Sequence, residues 1–251
     1  MSKNVVFIPF IETGDGRSNP YQFSIKSWKY WCKKNDCDLV IFDKPVCDVK
    51  DMKITWQRYY VFDILDNSEI EYDQVLMVDA DTIIHPDCPN FFNMTDHKFT
   101  AVHNEGSYDW VIRSIEIYNK YFFKNVQLPF YEYINGGFQI VNKKHKQFFQ
   151  DVIKFYFMNK DNLLETQKTF GVGTDQTPIN YLLRKHDIDL KLLSYEFNMV
   201  DLVRKEILDE ELTMTKVGWI YHYNAIPDNA DAKKTYYWME KTYEHLYGKL
   251  I

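Results

Sequence analysis

Apolar residues fall into two kinds of run along this chain. Short continuous runs rich in β-branched residues, Val5-Val6-Phe7-Ile8, Leu39-Val40-Ile41-Phe42 and Val75-Leu76-Met77-Val78, predict strands buried on both faces. Between them, residues 21–34 carry Phe23, Ile25, Trp28 and Trp31 at helical spacing, and residues 54–65 form a second such stretch. Turn formers Gly14, Asp15, Gly16 and Pro20 link the first strand to the first helix. The order β-loop-α-β-loop-α-β predicts a parallel sheet with right-handed crossovers.

The second half predicts a short strand at 99–103, a helix at 110–123 and a strand at 133–141 interrupted by Gly136-Gly137. An amphipathic helix follows at 144–158, then another at 174–185 with Thr174 as its N-cap. Residues 188–193 and 217–223 read as strands and 233–250 as a closing helix. The charged stretch 201–216 reads as a solvated face, an exposed helix or a mobile flap. No repeat, low-complexity tract or linker divides the 251 residues, a length that one core can serve. The fold class is therefore α/β: a single domain with a mixed, mainly parallel, Rossmann-like sheet flanked by helices.

Composition narrows the function. A hydrophobic share of 45% excludes a disordered chain, and a net charge of −6 argues against a nucleic-acid partner, which needs phosphate neutralisation. The 17% aromatic share supplies rings that pack a core or stack on sugars and bases. Cys32, Cys37, Cys47 and Cys88 form no CxxC pair, which fits reduced thiols in a cytosolic setting. The amino terminus lacks a signal-peptide pattern, and no apolar run reaches membrane-spanning length. These features predict a soluble, cytoplasmic protein without a transmembrane segment, able at most to visit a membrane surface.

The chemistry begins where the third strand ends. Asp79-Ala80-Asp81 places two carboxylates at the carboxyl end of a buried strand, where open α/β sheets bind ligands. Paired hard oxygens suit Mg²⁺ or Mn²⁺, which suit phosphates in turn; the alternative is a pair of solvated loop carboxylates. His222 closes the apolar run Trp219-Ile220-Tyr221 and offers a nitrogen ligand, or is a satisfied core histidine. Asn135-Gly136-Gly137 allows unusual backbone angles or close approach of a ligand, or marks a β-bulge. Asp175-Gln176 opens a helix behind Gly171-x-Gly173, where a carboxylate serves a site or the helix dipole. Arg58 lies on the helix before the acidic strand, as a partner of the acidic pair or a surface arginine.

Five stretches in order carry a wider likeness: Trp56-Gln57-Arg58-Tyr59, residues 75–84, residues 135–142 from Asn135 to Asn142, residues 174–180 from Thr174 to Asn180, and Tyr221-His222-Tyr223-Asn224. Together the chain resembles GT-A fold glycosyltransferases with a DxD motif, specifically the glycogenin-like and lipopolysaccharide galactosyltransferase-like retaining group. The resemblance implies that Asp79, Asp81 and His222 hold Mn²⁺ (or Mg²⁺) against the diphosphate of a nucleoside-diphosphate sugar, a UDP-sugar above all. It implies donor contacts at Phe10, Arg58, Asp79, Asp81, Asn135, Gly136, Gly137 and Lys233. Asp175 and Gln176 are implied as catalytic residues that bind sugar hydroxyls and face the anomeric carbon. Residues 1–85 would form the nucleotide-binding half and 86–251 the acceptor-binding half, serving a hydroxyl of a glycan or glycoconjugate. Where the family often has Lys-Pro-Trp, this chain has Lys233 and Lys234 without the proline, followed by Tyr236-Tyr237-Trp238. The expected reaction is hexose transfer with retention. An inverting enzyme would instead need Asp175 as general base, a role Gln176 is unable to fill.

Three other readings compete. Residues 75–82 also fit the haloacid-dehalogenase pattern, with Asp79 as a phosphoryl-accepting nucleophile, although that superfamily carries it on the first strand. A sugar-nucleotide pyrophosphorylase would want a glycine-rich basic signature, of which Gly14-Asp15-Gly16-Arg17 is a poor copy. A non-catalytic sugar-nucleotide binder on the same fold is the third.

Overall fold

The computed structural model describes residues 2–12, 14, 16, 18–228 and 232–250; Asp15 and Arg17 of the first loop lie outside that set. In chain order the elements are β1 (Lys3–Pro9), α1 (Tyr21–Lys34), β2 (Asp38–Phe42), α2 (Ile54–Gln57), α3 (Val61–Asn67), β3 (Tyr72–Val78), β4 (Thr82–Ile84) and β5 (Phe99–His103). They continue with α4 (Tyr108–Tyr121), β6 (Ile134–Asn142), α5 (Lys146–Phe170), α6 (Gln176–Lys185), β7 (Leu190–Leu193), β8 (Ile220–His222) and α7 (Lys233–Tyr247). Six strands form one sheet in the order β2-β1-β3-β6-β5-β7, and β4 pairs with β8 in a separate ribbon. β1 runs parallel to β2 and β3, and β7 parallel to β5, while β6 is antiparallel to both of its neighbours. The sheet is the mixed, mainly parallel one expected, with helices on both faces.

Alternation along the strands builds two cores. Val5, Phe7, Val75, Met77 and Val141 face one side, against Trp56, Tyr59 and Phe62 and the apolar faces of α4, α5 and α6. Val6, Ile8, Leu76, Val78 and Ile140 face the other, against Trp28 and Trp31 of α1 and Phe91. The Trp31 and Phe91 rings stack at 4.7 Å between centroids. Burying each large apolar side chain contributes about 1.5–3 kcal/mol, so these strands are anchored from both faces. A third core lies under the β4–β8 ribbon, where Ile83, Tyr221, Tyr223, Met239 and Tyr247 meet. All four cysteines are free, and burial pushes the Cys32 and Cys88 thiols up, which keeps them protonated. Among the described residues, no helix is long and apolar enough to cross a membrane.

Several boundaries differ from expectation for physical reasons. The helix expected at 54–65 is broken by a 3₁₀ turn at Arg58–Tyr60, which turns Arg58 and Tyr59 inward. The helix expected to stop at 158 runs to Phe170: the polar stretch Asn159 to Asn162 is followed by the buried Leu163, Thr166 and Gln167. It ends at Gly171, whose left-handed φ of 58° closes the helix. Asp175, not Thr174, is the N-cap residue of α6, and its carboxylate caps nothing because other partners hold it. The strand expected at 217–223 shortens to Ile220–His222. The stretch 201–216 is not simply a solvated face: Leu202, Leu212 and Met214 are core residues beneath its charges, and Asp201 is buried.

Behind β6, Asn142 and His145 form a capping box in which the Asn142 amide N–H donates to His145 Nδ1 at 3.1 Å. Burial pushes the His145 pKa down to about 4. Because the folded value lies below the ordinary 6.5, the unfolded chain binds the proton more readily. This contribution is complete above about pH 6.5 and is lost as pH falls towards about 4. Urea unfolding at pH 7 and pH 5 should therefore show the wild type losing on the order of 1 kcal/mol more than His145→Gln, which keeps an acceptor at that position without titrating.

Candidate active site

Buried strand β3 delivers Asp79 to the carboxyl edge of the sheet, where the Asp79 amide donates to the Gly137 carbonyl at 3.1 Å. The Thr82 hydroxyl folds back onto the Asp79 carbonyl at 2.7 Å and accepts the Trp28 indole N–H at 3.0 Å, which fixes the turn carrying Asp81. β4 then pairs with β8 so that Thr82 faces His222. That register brings a histidine from late in the chain beside Asp81. His222 Nε2 lies 3.2 Å from Asp81 Oδ1 and 3.7 Å from Asp79 Oδ2. One ligand atom from each of the three falls within 4.8 Å of the others, which is the group among the described residues able to hold a metal ion. Two carboxylate oxygens and one imidazole nitrogen fit Mn²⁺ or Mg²⁺ and leave positions for other oxygen ligands.

Arg58 balances the charge. Its Nη1 donates to Asp79 Oδ1 at 2.5 Å and to the Gly136 carbonyl at 3.2 Å, and its Nε lies 3.8 Å from Asp175 Oδ2. Burial opposes its charge, but the Asp79 and Asp175 carboxylates outweigh burial and raise its pKa. Burial likewise opposes ionisation of Asp81 until His222 lowers its pKa, and Asp81, with Asp79, raises that of His222 against burial. The carboxylates facing Nε2 thus favour positive charge at that point, and a metal-bound imidazole presents that nitrogen without a proton.

Asn135, Gly136 and Gly137 lie near the start of β6, before its ladder to β3 begins at Phe138, and the register against β5 shifts across them, between the pairs Ala101–Gln139 and His103–Ile134, as a bulge would make it. Neither glycine has a positive φ, so the demand here is for space rather than backbone freedom. A Cβ on Gly137 would stand 2.5 Å from His222 Cε1 and 2.6 Å from Asp79 Oδ2; on Gly136 it would meet Gln176 at 3.4 Å, an ordinary contact. Gln176 Oε1 accepts the Gly136 N–H at 2.8 Å. Asp175 accepts the Tyr59 hydroxyl at 3.0 Å and the Thr174 hydroxyl at 2.8 Å. Burial, with Asp175 next, raises the Tyr59 pKa, so this phenol remains a donor.

One cavity of about 200 Å³ is lined by Arg58, Asp79, Asp81, Asn135, Gly136, Gly137, Asp175, Gln176 and His222. Nine of the expected site residues therefore meet. Arg58, Asp79 and Asp81 also line a cavity of about 350 Å³ that reaches Ile11, Tyr21 and Ile54. Ile11 and Ile54 in turn line a groove of about 890 Å³, on whose wall Phe10 lies with its ring against Tyr21. On the other side, Asn135, Gln176 and Asn224 line a cavity of about 280 Å³ bordered by Asn104, Trp110 and Asp201. Lys233, exposed at the start of α7, is not among the residues named as lining the two cavities at Asp79. Sequence reasoning missed Asn104, Asn198 and Asp201, which stand in loops with no periodic or motif signal. Tyr59 was read only as a neighbour of Arg58, although an aromatic beside an inward-turned arginine was a usable sign.

No family model matches the chain, and no curated protein does. Solved structures do. A glycosyltransferase involved in the glycosylation of the major capsid of PBCV-1 aligns with a TM-score of 0.65 at 11% identity, over 95% of this chain and 98% of that one. The apo-form glycosyltransferase GlyE of Streptococcus pneumoniae TIGR4 aligns with a TM-score of 0.52 at 13% identity, over 99% of this chain and 63% of that one. At such identities the likeness is one of fold, and the fold is the GT-A-like one of glycosyltransferases.

Gly137→Ala should perturb this site more than Gly136→Ala, because its methyl group has no room between His222 and Asp79. We expect Gly137→Ala to lower stability by about 1–3 kcal/mol and to weaken any divalent-cation binding at the Asp79–Asp81–His222 group by roughly tenfold or more. Gly136→Ala should change either by far less. Calorimetric titration and thermal melts of both variants check this.

Proposed function

We propose that the protein is a metal-dependent glycosyltransferase that moves a hexose from a nucleoside-diphosphate sugar, a UDP-sugar in the first instance, to a hydroxyl of a glycan or glycoconjugate. The observation that carries this reading is the convergence of Asp79, Asp81 and His222 within 4.8 Å at the carboxyl edge of a GT-A-like sheet. Arg58 and His222 offset only part of the charge that the carboxylates and a diphosphate would bring together, which supports a divalent cation at this site. Asp79, Asp81 and His222 would hold Mn²⁺ or Mg²⁺, which when bound stabilises the departing diphosphate as a Lewis acid.

The remaining assignments follow the cavities. The broad groove walled by Phe10, Ile11 and Ile41 suits a nucleobase and ribose, and the cavity at Arg58 and Tyr21 suits the diphosphate. The small cavity at Gly136, Asp175 and Gln176 suits the donor hexose, and the cavity beside Trp110 and Asp201 suits the acceptor. Residues 1–85 would then chiefly serve the nucleotide and 86–251 the acceptor.

Retention of anomeric configuration is supported by what holds Asp175. With Tyr59 and Thr174 donating to it and Arg58 3.8 Å away, this carboxylate has its oxygens held by donors inside the protein rather than free to meet an acceptor hydroxyl. It is better suited to bind the sugar and to stabilise positive charge at the anomeric carbon, while Gln176 orients the ring. The dehalogenase-type phosphatase reading is set aside, because the acidic pair follows the third strand rather than the first and Asp175 adds a single later carboxylate where that chemistry needs a pair. A non-catalytic binder would share this site and differ in one respect: it would leave UDP-sugars intact in the presence of Mn²⁺. A hydrolysis panel of UDP-, GDP- and ADP-sugars separates the two.

Asp81→Asn should abolish Mn²⁺-dependent turnover of the donor and move the metal-free melting temperature by no more than a few degrees, since the carboxylate serves the ion rather than a core. Full activity in this variant would sink the metal assignment. Asp175→Asn should lose about 10²-fold or more in rate without changing the linkage formed. Anomeric coupling constants of the product decide that point: a β-linkage from an α-linked donor would make Asp175 a general base.

A further inference from the structure

Asn198 is fully buried, follows the 3₁₀ turn Tyr195–Phe197, and belongs to none of the sequence motifs. Its position is fixed by the next residue: the Met199 amide donates to the Ile220 carbonyl at 2.8 Å and the Met199 carbonyl accepts from His222 N at 3.0 Å. The Asn198 side chain is thereby held beside the His222 ring, with Oδ1 3.1 Å from Nδ1. Its Nδ2 donates to Asn135 Oδ1 at 2.9 Å.

The direction of these bonds is dictated by the backbone. Gly137 N–H, which can only donate, gives its proton to Asn135 Oδ1 at 2.8 Å. The group of Asn135 at that point must therefore be the carbonyl oxygen, and its Nδ2 is left to donate to Asn104 Oδ1 at 2.9 Å. A carbonyl oxygen of Asn135 requires an NH₂ from Asn198, so the Asn198 oxygen faces His222. That oxygen can only accept, so Nδ1 of His222 carries a proton. The lone pair of the neutral ring is then on Nε2, the nitrogen nearest Asp79 and Asp81.

We infer that Asn198 is a positioning residue: oriented by the Gly137 N–H through Asn135, it keeps the His222 proton on Nδ1 and so presents Nε2 to an ion held with Asp79 and Asp81. The inference rests on the proposed metal site, although the choice of tautomer stands without it. Outer partners of this kind are worth about 10–100-fold in metal affinity. Asn198→Ala removes the acceptor. Asn198→Asp keeps an oxygen for the Nδ1 proton but loses the donor to Asn135. Asn104→Ala leaves the Gly137–Asn135–Asn198 sequence of bonds in place.

The test uses ¹⁵N-histidine-labelled protein at a pH where the ring is neutral, with the His222 signals identified by their loss in His222→Gln. Side-chain ¹⁵N shifts should show the Nδ1–H tautomer in the wild type, in Asn198→Asp and in Asn104→Ala, and a mixture in Asn198→Ala. Calorimetric Mn²⁺ titration should give about a 10–100-fold weaker Kd for Asn198→Ala and a near-wild-type Kd for Asn104→Ala. A wild-type ring protonated on Nε2 overturns the inference, and this measurement needs no variant to fold. So does an Asn198→Ala protein with wild-type tautomer and wild-type Mn²⁺ affinity. Absence of Mn²⁺ binding in the wild type would instead remove the metal reading, with the tautomer still deciding the role of Asn198.

Discussion

Three carboxylates, those of Asp79, Asp81 and Asp175, converge at one edge of the sheet, and Arg58 and His222 are the basic side chains joined to them. Like charges drawn this close and partly out of water oppose folding unless each finds a partner. The architecture around the site follows from that constraint. Arg58 bridges Asp79 and Asp175 because a 3₁₀ turn interrupts its helix, and Tyr59, next in that turn, also donates to Asp175. His222 reaches the pair only because β8 lies antiparallel to β4. The residual negative charge is what a cation would answer, so the same imbalance equips the site to bind an ion and the anion that ion carries.

Much of this was legible beforehand. The buried strands announce themselves as continuous apolar runs, and Asp79 and Asp81 follow one of them directly, so the edge of the sheet and its acids could be read together. Helix α1 was readable to its ends because Trp28 and Trp31 repeat at helical spacing and polar residues close it. What stayed hidden depends on contacts remote in sequence. The short strand β8 has three residues and takes its identity from β4, and α5 continues through a polar stretch because its buried face is set by the sheet it covers. Asn104 and Asn198 belong to irregular backbone, where an asparagine has the same local meaning whether it faces water or an imidazole. Nor could the sequence decide which freedom Gly137 supplies. Its φ is ordinary, and the crowding by His222 and Asp79 exists only after the two halves meet.

The cavities give the site a direction. They adjoin through shared walls, from the groove at Phe10, past Arg58 and the acidic pair, to the space beside Trp110 and Asp201. The apolar end, the charged centre and the hydroxyl- and amide-lined end follow one another along the carboxyl edge of the sheet. A molecule with a base, a diphosphate and a sugar has the same sequence of properties, and a second sugar would complete it. The proposed donor thus matches the order of surfaces along the edge rather than any one residue.

β6 runs against its neighbours, so the beginning of that strand meets the ends of the others. Where an all-parallel edge would offer strand carboxyl ends alone, this one also offers the amide hydrogens of Gly136 and Gly137, taken up by Gln176 and Asn135. Pairing of Val78 with Phe138 sets Gly137 beside Asp79. Side chains alternate along a strand, and one slipped residue would bring Phe138 to the place that only a hydrogen atom can occupy. The two kinds of length change therefore differ in their consequences over evolutionary time. Connections between β4 and β6 can lengthen or shorten while the ladder holds both ends of the site in place. An insertion within β6 itself would close it.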